Sequence, residues 1–306
     1  MTTKKTDVYD IITERIVAVL ESGAAPWRKT WKTGQADTLP ANFISRKAYR
    51  GINAFLLLCT PYDCPFWLTY KQATEKGGNV RKGEKGMPVV FWNWFPKRVN
   101  GKLVMGANGK PEQVPFLRYY TVFNVEQCEG IEWVKPAPNP DAIPFDPLAT
   151  CEQIVSGMPL APEIRHGGNA AYYSPSADSV QMPARESFAD VPAYYSTLFH
   201  ELTHATGHTK RLARKDFATE GNAFAAYGSA VYSREELVAE MGAAFLCGHA
   251  GILNRTIDNS AAYLAGWIAK MKQEPKLVVT AAAQAQKAAD FILAVKHETE
   301  TEEKAE

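Results

Sequence analysis

No stretch of this chain approaches the ~18 consecutive apolar residues of a membrane span, and its first residues, Met1 to Asp7, are polar rather than a signal h-region. A cytoplasmic protein without a membrane partner is expected. Cysteine is scarce and unpatterned: Cys59, Cys64, Cys128, Cys151 and Cys247 are odd in number and form no Cys-x-x-Cys motif. That argues against a disulfide framework and against zinc held by thiolates, and fits free thiols in a reducing compartment. There is no internal repeat. Net charge is nearly absent too, at +1 over 306 residues. With 46% apolar and 22% charged residues, the composition is that of an ordinary globular protein long enough for two cores.

The small net charge conceals two opposite halves. Residues 1–135 hold 20 Lys and Arg against 12 Asp and Glu, whereas residues 136–306 hold 14 against 21. Six of the seven tryptophans lie in the first part, and five of the six histidines lie from His200 onward. Between the halves, Pro136, Pro138, Pro140, Pro144 and Pro147 make a stiff extended stretch that neither helix nor central strand accommodates. An α+β chain of two domains is expected: a basic, Trp-rich domain over 1–134, a Pro-rich linker over 135–148, a mainly helical domain with a small sheet over 149–296, and an acidic tail over 297–306.

The acidic half carries His200-Glu201-Leu202-Thr203-His204. Residues four apart share one face of a helix, so the two imidazoles can close on a single metal ion, with Glu201 beside them as general base. The lead-in agrees, with Asp190 as helix cap and Pro192 in the first turn. A site of this type takes its third ligand from elsewhere. His208 lies a turn further along, past Gly207, and His249 reads as a helix-end residue. Ser233 to Leu246 is the better source, read as a helix capped by Ser233 with Glu236 at a capping-box position. Glu236 and Glu240, four apart beside Ala239 and Ala243, form a like-charged pair that wants a cation. Glu236 is assigned as ligand and Glu240 as the carboxylate behind a ligand imidazole, with the exchanged assignment as the alternative. Two imidazoles and a carboxylate suit Zn2+, with Mn2+ and Co2+ as alternatives. Tyr227, Tyr232 and His208 are candidate oxyanion donors.

This arrangement resembles the gluzincins and departs from the metzincins, whose third histidine would fall at Lys210. Upstream, Ala171 to Pro183 reads as two short strands around a turn. In zincins the strand before the active-site helix pairs with extended substrate, a role carried here by the resemblance.

In the basic half, Val8 to Leu20 has helical apolar spacing. Trp67 to Ala73 is read as starting a short helix, Gly77 to Gly86 as a basic glycine-rich loop, and Val89 to Phe95 with Phe116 to Val125 as an antiparallel pair. Turns are expected at Asn100-Gly101 and Asn108-Gly109. Aromatic rings interleaved with cations suit single-stranded nucleic acid, the rings stacking on bases and the cations following phosphates. The candidate contacts are Trp27, Arg28, Lys29, Trp31, Arg46, Lys47, Tyr49, Arg50, Lys71, Arg81, Lys82 and Lys85. Trp92 and Trp94 are read as core residues, since alternate strand positions face inward.

Several segments together resemble the ArdC antirestriction family of conjugative plasmids. They are Pro26-Trp27-x-x-x-Trp31, Tyr49 to Asn53, Trp67 to Ala73, Val80 to Gly86, Tyr119 to Val125, the segment His200 to His208, and Glu235 to Glu240. The resemblance implies a domain binding single-stranded DNA joined to a zincin-like metallopeptidase domain, and a role in shielding incoming plasmid DNA from host restriction during conjugation. Two further readings stay open: a DNA-associated zinc protease cutting DNA-bound proteins, and a non-enzymatic module with structural zinc that contacts a host protein such as a restriction enzyme.

Overall fold

A computed structural model describes residues 7–21, 39–62, 64–99, 101–106, 109–132, 147–214, 230–252 and 261–295. Trp27, Arg28, Lys29, Trp31, Tyr227 and most of the proline-rich stretch lie outside these residues. The fold is α+β in two units, a sheet-containing N-terminal region and a mainly helical region.

The first unit comprises α1 (Val8–Glu21), β1 (Ala41–Asn42), α2 (Gly51–Leu58), β2 (Phe66–Thr69), α3 (Tyr70–Glu75), β3 (Asn79–Val80), β4 (Met87–Pro96), β5 (Arg98–Val99), β6 (Lys102–Leu103), β7 (Gln113–Asn124) and β8 (Cys128–Glu129). The main sheet runs β1-β2-β7-β4, with β4 and β7 antiparallel as the alternation of their residues predicts. The apolar spacing of α1 buries Ile12, Ile16 and Leu20. Asn53 on α2 closes the outer edge of β4, donating to the Val90 carbonyl at 2.7 Å and accepting its N–H at 2.6 Å. Trp67 and Leu68 belong to a strand and fill the core instead of starting a helix. The helix begins at Tyr70, because Thr69 and Gln72 form a reciprocal capping box there. The expected turn at Gly101 joins β5 to β6, its positive φ of 79° being one that glycine adopts without strain. Contacts also group residues 268–279 with this unit: the Thr13 hydroxyl donates to the Pro275 carbonyl, and Lys272 pairs with Glu21. A division into consecutive domains does not include this return of the chain.

The second unit comprises α4 (Pro147–Gly157), β9 (Glu163–His166), β10 (Tyr172–Ser174), β11 (Ser179–Met182), α5 (Val191–Ala205), α6 (Ala230–His249), most of α7 (Ala261–Gln273) and most of α8 (Leu277–Ile292). The expected hairpin is β10–β11, and β9 adds a parallel partner that the sequence reading lacked. β11 is therefore the middle strand of three, with both edges paired, and it cannot take an extended substrate. Among the described residues that capacity falls to the outer edges of β9 and β10. The hairpin is tied down by Asp178, which accepts from Tyr173, Lys210 and the buried Arg211 guanidinium. Leu237 to Gly248 of α6 is buried on every side, as befits a helix through the middle of a domain.

Candidate metal centre

α5 starts where the sequence predicts: the Asp190 carboxylate accepts the Ala193 N–H at 2.8 Å, and proline occupies its first turn. Four residues of helix then place His200 and His204 on one face. Their rings are 4.8 Å apart at centroid, and their Nε2 atoms face each other at 3.1 Å. α6 supplies the carboxylates. It begins at Ala230, so the Ser233 backbone lies inside the helix and not at its cap position. Glu236 faces the histidines, with Oε2 3.5 Å from His200 Nε2 and Oε1 3.4 Å from His204 Nε2. Ligand atoms ~2.0–2.2 Å from a tetrahedral ion lie about 3.3–3.6 Å apart; the two carboxylate spacings fall in that range and the 3.1 Å between the imidazoles lies just under it, so the three suit one divalent cation. Among the described residues, His200, His204 and Glu236 are the group whose donor atoms converge in this way. The His200 Nδ1 is buried without a hydrogen-bond partner.

α5 and α6 approach each other closely at Gly242. A methyl group on Gly242 would lie 2.5 Å from Thr203 Cγ2 and 2.7 Å from its Oγ1. Gly242 is thus a point of tight contact between the two helices.

Behind the two imidazoles stand two more carboxylates. Glu240 Oε1 is 3.6 Å from His200 Nδ1, on the side expected from sequence but beyond hydrogen-bond reach. Glu235, which sequence reasoning missed, accepts from His204 Nδ1 at 3.2 Å. Consecutive residues thus grip opposite nitrogens of one ring, Glu236 at Nε2 and Glu235 at Nδ1. Glu235 is itself held by Arg214, whose Nε donates to Oε2 at 3.1 Å and whose Nη2 donates to Oε1. The same guanidinium donates to the Thr203 carbonyl at 3.0 Å, fastening the end of α5. No spacing rule points to Arg214, and helical-face logic assigns Glu235 away from Glu236. The available signal is that α6 passes alongside the His204 ring, which only the packing reveals.

Charge in the cluster is strongly coupled. Burial opposes the imidazolium at both histidines, but Glu236, with Glu235 at His204, overcomes it, so that His204 is raised to about 10 and His200 is raised as well. Burial likewise pushes the carboxyls up, yet His204 beside Glu236 and Arg214 beside Glu235 hold both below the usual carboxylate range. Glu201 is 5% exposed on the same helix as the histidines. Four carboxylates around two imidazoles in low-dielectric surroundings favour a resident cation. The donor set therefore fits a divalent metal.

The other predicted residues fall as follows. His208 is buried and accepts the Lys210 N–H, and His249 is exposed at the end of α6; neither joins the ligand group. The Tyr232 side chain lies outside the described residues. Arg46, Lys47, Arg50, Lys71, Arg81, Lys82 and Lys85 are exposed. The Arg46 guanidinium lies 4.2 Å over the Phe66 ring, and Arg81 pairs with Glu84 at 2.8 Å. Tyr49 is half-buried against Leu57, Trp67, Val89 and Val122. Gly86 packs against Val122 and Thr121, so close approach of strands requires it.

Comparison with known proteins agrees with this geometry. Residues 6–123 match the N-terminal domain of anti-restriction factor ArdC, and residues 151–284 match a zincin-like metallopeptidase. The crystal structure of antirestriction ArdC protein from the R388 plasmid, metal-free, superposes with a TM-score of 0.70 at 34% identity, covering 94% of this chain and 97% of that one. This chain belongs to the ArdC family. The Mn(II)-bound structure of the same R388 protein gives a TM-score of 0.69 at 35% identity, with 96% and 100% covered. The uncharacterized protein y4eC of Sinorhizobium fredii is 34% identical over 97% of this ArdC-family chain and 95% of its own length. DNA primase TraC of Escherichia coli is 36% identical over 95% of the chain, which spans only 27% of that relative's length.

Proposed function

We propose that this ArdC-family protein is a cytoplasmic antirestriction factor that binds single-stranded DNA through residues 1–134 and works as a zinc peptidase through residues 149–296. It would protect plasmid DNA entering a host by conjugation, acting on a host protein such as a restriction enzyme. The observation that carries the reading is the convergence of His200, His204 and Glu236 with Glu201 buried on the same helix. A closed structural site has no need of Glu201, and no fourth protein ligand joins the group among the described residues.

The proposed ligands are His200, His204 and Glu236, and a divalent ion bound by them would supply a Lewis acid toward a substrate carbonyl. The Mn(II) form of the R388 relative supports Mn2+ beside Zn2+ as the metal. Glu201 takes the proton from an attacking water and returns it to the leaving amine. Glu240 and Glu235 orient the two imidazoles from behind. Support for the DNA partner comes from the basic, aromatic composition of the first half and from the primases among the relatives.

The test is conjugative transfer of a plasmid into a restricting host that carries the wild-type protein, Glu201→Gln or Glu236→Ala. The proposal predicts that both variants lose protection, while purified Glu201→Gln keeps its metal and its affinity for oligonucleotide. Full protection by Glu201→Gln would eliminate peptidase turnover and leave a non-enzymatic module.

A further inference from the structure

β7 pairs with β2 only from Val122 onward, and before Val122 it has β4 as its only neighbour among the described residues. The result is a two-stranded ribbon over residues 88–96 and 113–121, extended by the short β5–β6 hairpin. Two-stranded ribbons are marginal by themselves, and this one turns aromatic rings to solvent. Phe91, Phe95, Tyr119 and Tyr120 are 51%, 47%, 48% and 47% exposed. With three aliphatic residues from the same stretch, they make up seven of the fourteen large apolar side chains exposed among the described residues.

The register sorts these rings. Phe91 stands directly opposite Arg118 in the ladder and Val89 opposite Tyr120, so Phe91, Arg118 and Tyr120 project from one face, with Phe95 two pleats along it. The Phe91 and Tyr120 rings meet edge to face, 6.3 Å apart. Charge on the ribbon is lopsided. Residues 91–120 contain Lys97, Arg98, Lys102, Lys110 and Arg118 against a single acid, Glu112, which Lys97 already pairs at 2.6 Å.

An apolar protein partner would leave that cationic excess uncompensated, and a duplex offers no unpaired bases to the rings. Flat exposed rings among cations match a polyanion with unstacked bases. We infer that the β4–β7 ribbon is a binding surface for single-stranded nucleic acid, with Phe91 and Tyr120 stacking on bases and Arg118 on the phosphate track. This rests on the DNA-binding reading above and adds a surface that the tryptophans and loop cations did not include.

Fluorescence anisotropy of the full chain with a labelled oligothymidine tests it. The double variant Phe91→Ala, Tyr120→Ala weakens binding at least about tenfold, with the slope of log Kd against log salt unchanged. Arg118→Gln instead lowers that slope by about 0.7, as one phosphate contact on a single strand is lost. Phe91→Tyr keeps a flat ring and keeps binding, which covers the case in which the double variant fails to fold. Wild-type binding with unaltered affinity in the folded double variant, and an unaltered slope in Arg118→Gln, overturns the ribbon but leaves the DNA-binding reading standing. So does a double variant that loses only self-association in sedimentation, which would assign the ribbon to a second copy of the chain. No binding by the wild type at low salt overturns both.

Discussion

His204 is gripped from both sides by neighbouring residues of one helix, and this makes Glu235 more consequential than its place next to a ligand suggests. An ionised Glu235 accepts from Nδ1, which fixes the tautomer and aims the Nε2 lone pair at the ligand position. Arg214 keeps Glu235 an acceptor by donating to both its oxygens. Replacing Glu235 with Gln keeps the shape but weakens the acceptor and lets the amide present its NH2 instead. Metal affinity, measured by competition with a chelating dye, should fall roughly 10- to 100-fold, with the metal-free protein still folded. An unchanged affinity would show that Glu235 serves only to anchor Arg214. That His200, Glu201 and His204 share one helix was legible from spacing, and spacing also offered Glu236 and Glu240 as the two carboxylates to choose between. Glu235 and Arg214 were not legible, since their roles depend on how one helix passes another.

At the scale of elements, the site is a crossing of α5 and α6, and its tolerance is set at Gly242. A Cβ there meets the β-branched Thr203, whose hydroxyl is already committed to the Phe199 carbonyl at 2.7 Å. Gly242→Ala should cost about 1–3 kcal/mol of stability, as overpacked cores do, and should loosen metal binding by shifting Glu236 and Glu240 away from the histidines. Urea unfolding of the metal-free and metal-loaded forms separates the two effects. Adding Thr203→Ala should restore both in part, and a double variant no better than the single would locate the damage elsewhere. Alternating residues and caps revealed β4, β7, β10, β11 and the start of α5. The start of α6 was misread, since Ser233 and Glu236 carry capping-box spacing inside a helix that begins at Ala230. At Trp67, apolar residues that suit either period belong to a strand, and the capping box at Thr69 marks where the helix begins. β9 escaped notice because Glu163 to His166 is mostly exposed and polar, leaving no alternation to read.

Across the whole molecule, the opposed charges of the two halves match the two proposed chemistries, a cationic aromatic surface for a polyanion and a carboxylate-rich cluster for a cation. Net charge near zero hides this, whereas charge counted by half exposes it. Family membership covers both halves, through the N-terminal ArdC match and the zincin-like match. The proposed peptidase activity depends on the metal centre, since the role proposed for Glu201 exists only beside it. The most direct measurement is anomalous diffraction from crystals soaked in Zn2+. One peak is expected within about 2.0–2.2 Å of His200 Nε2, His204 Nε2 and a Glu236 oxygen, with no further protein ligand. A peak ligated by Glu240 in place of Glu236, or closed by a fourth side chain, would contradict the assignment.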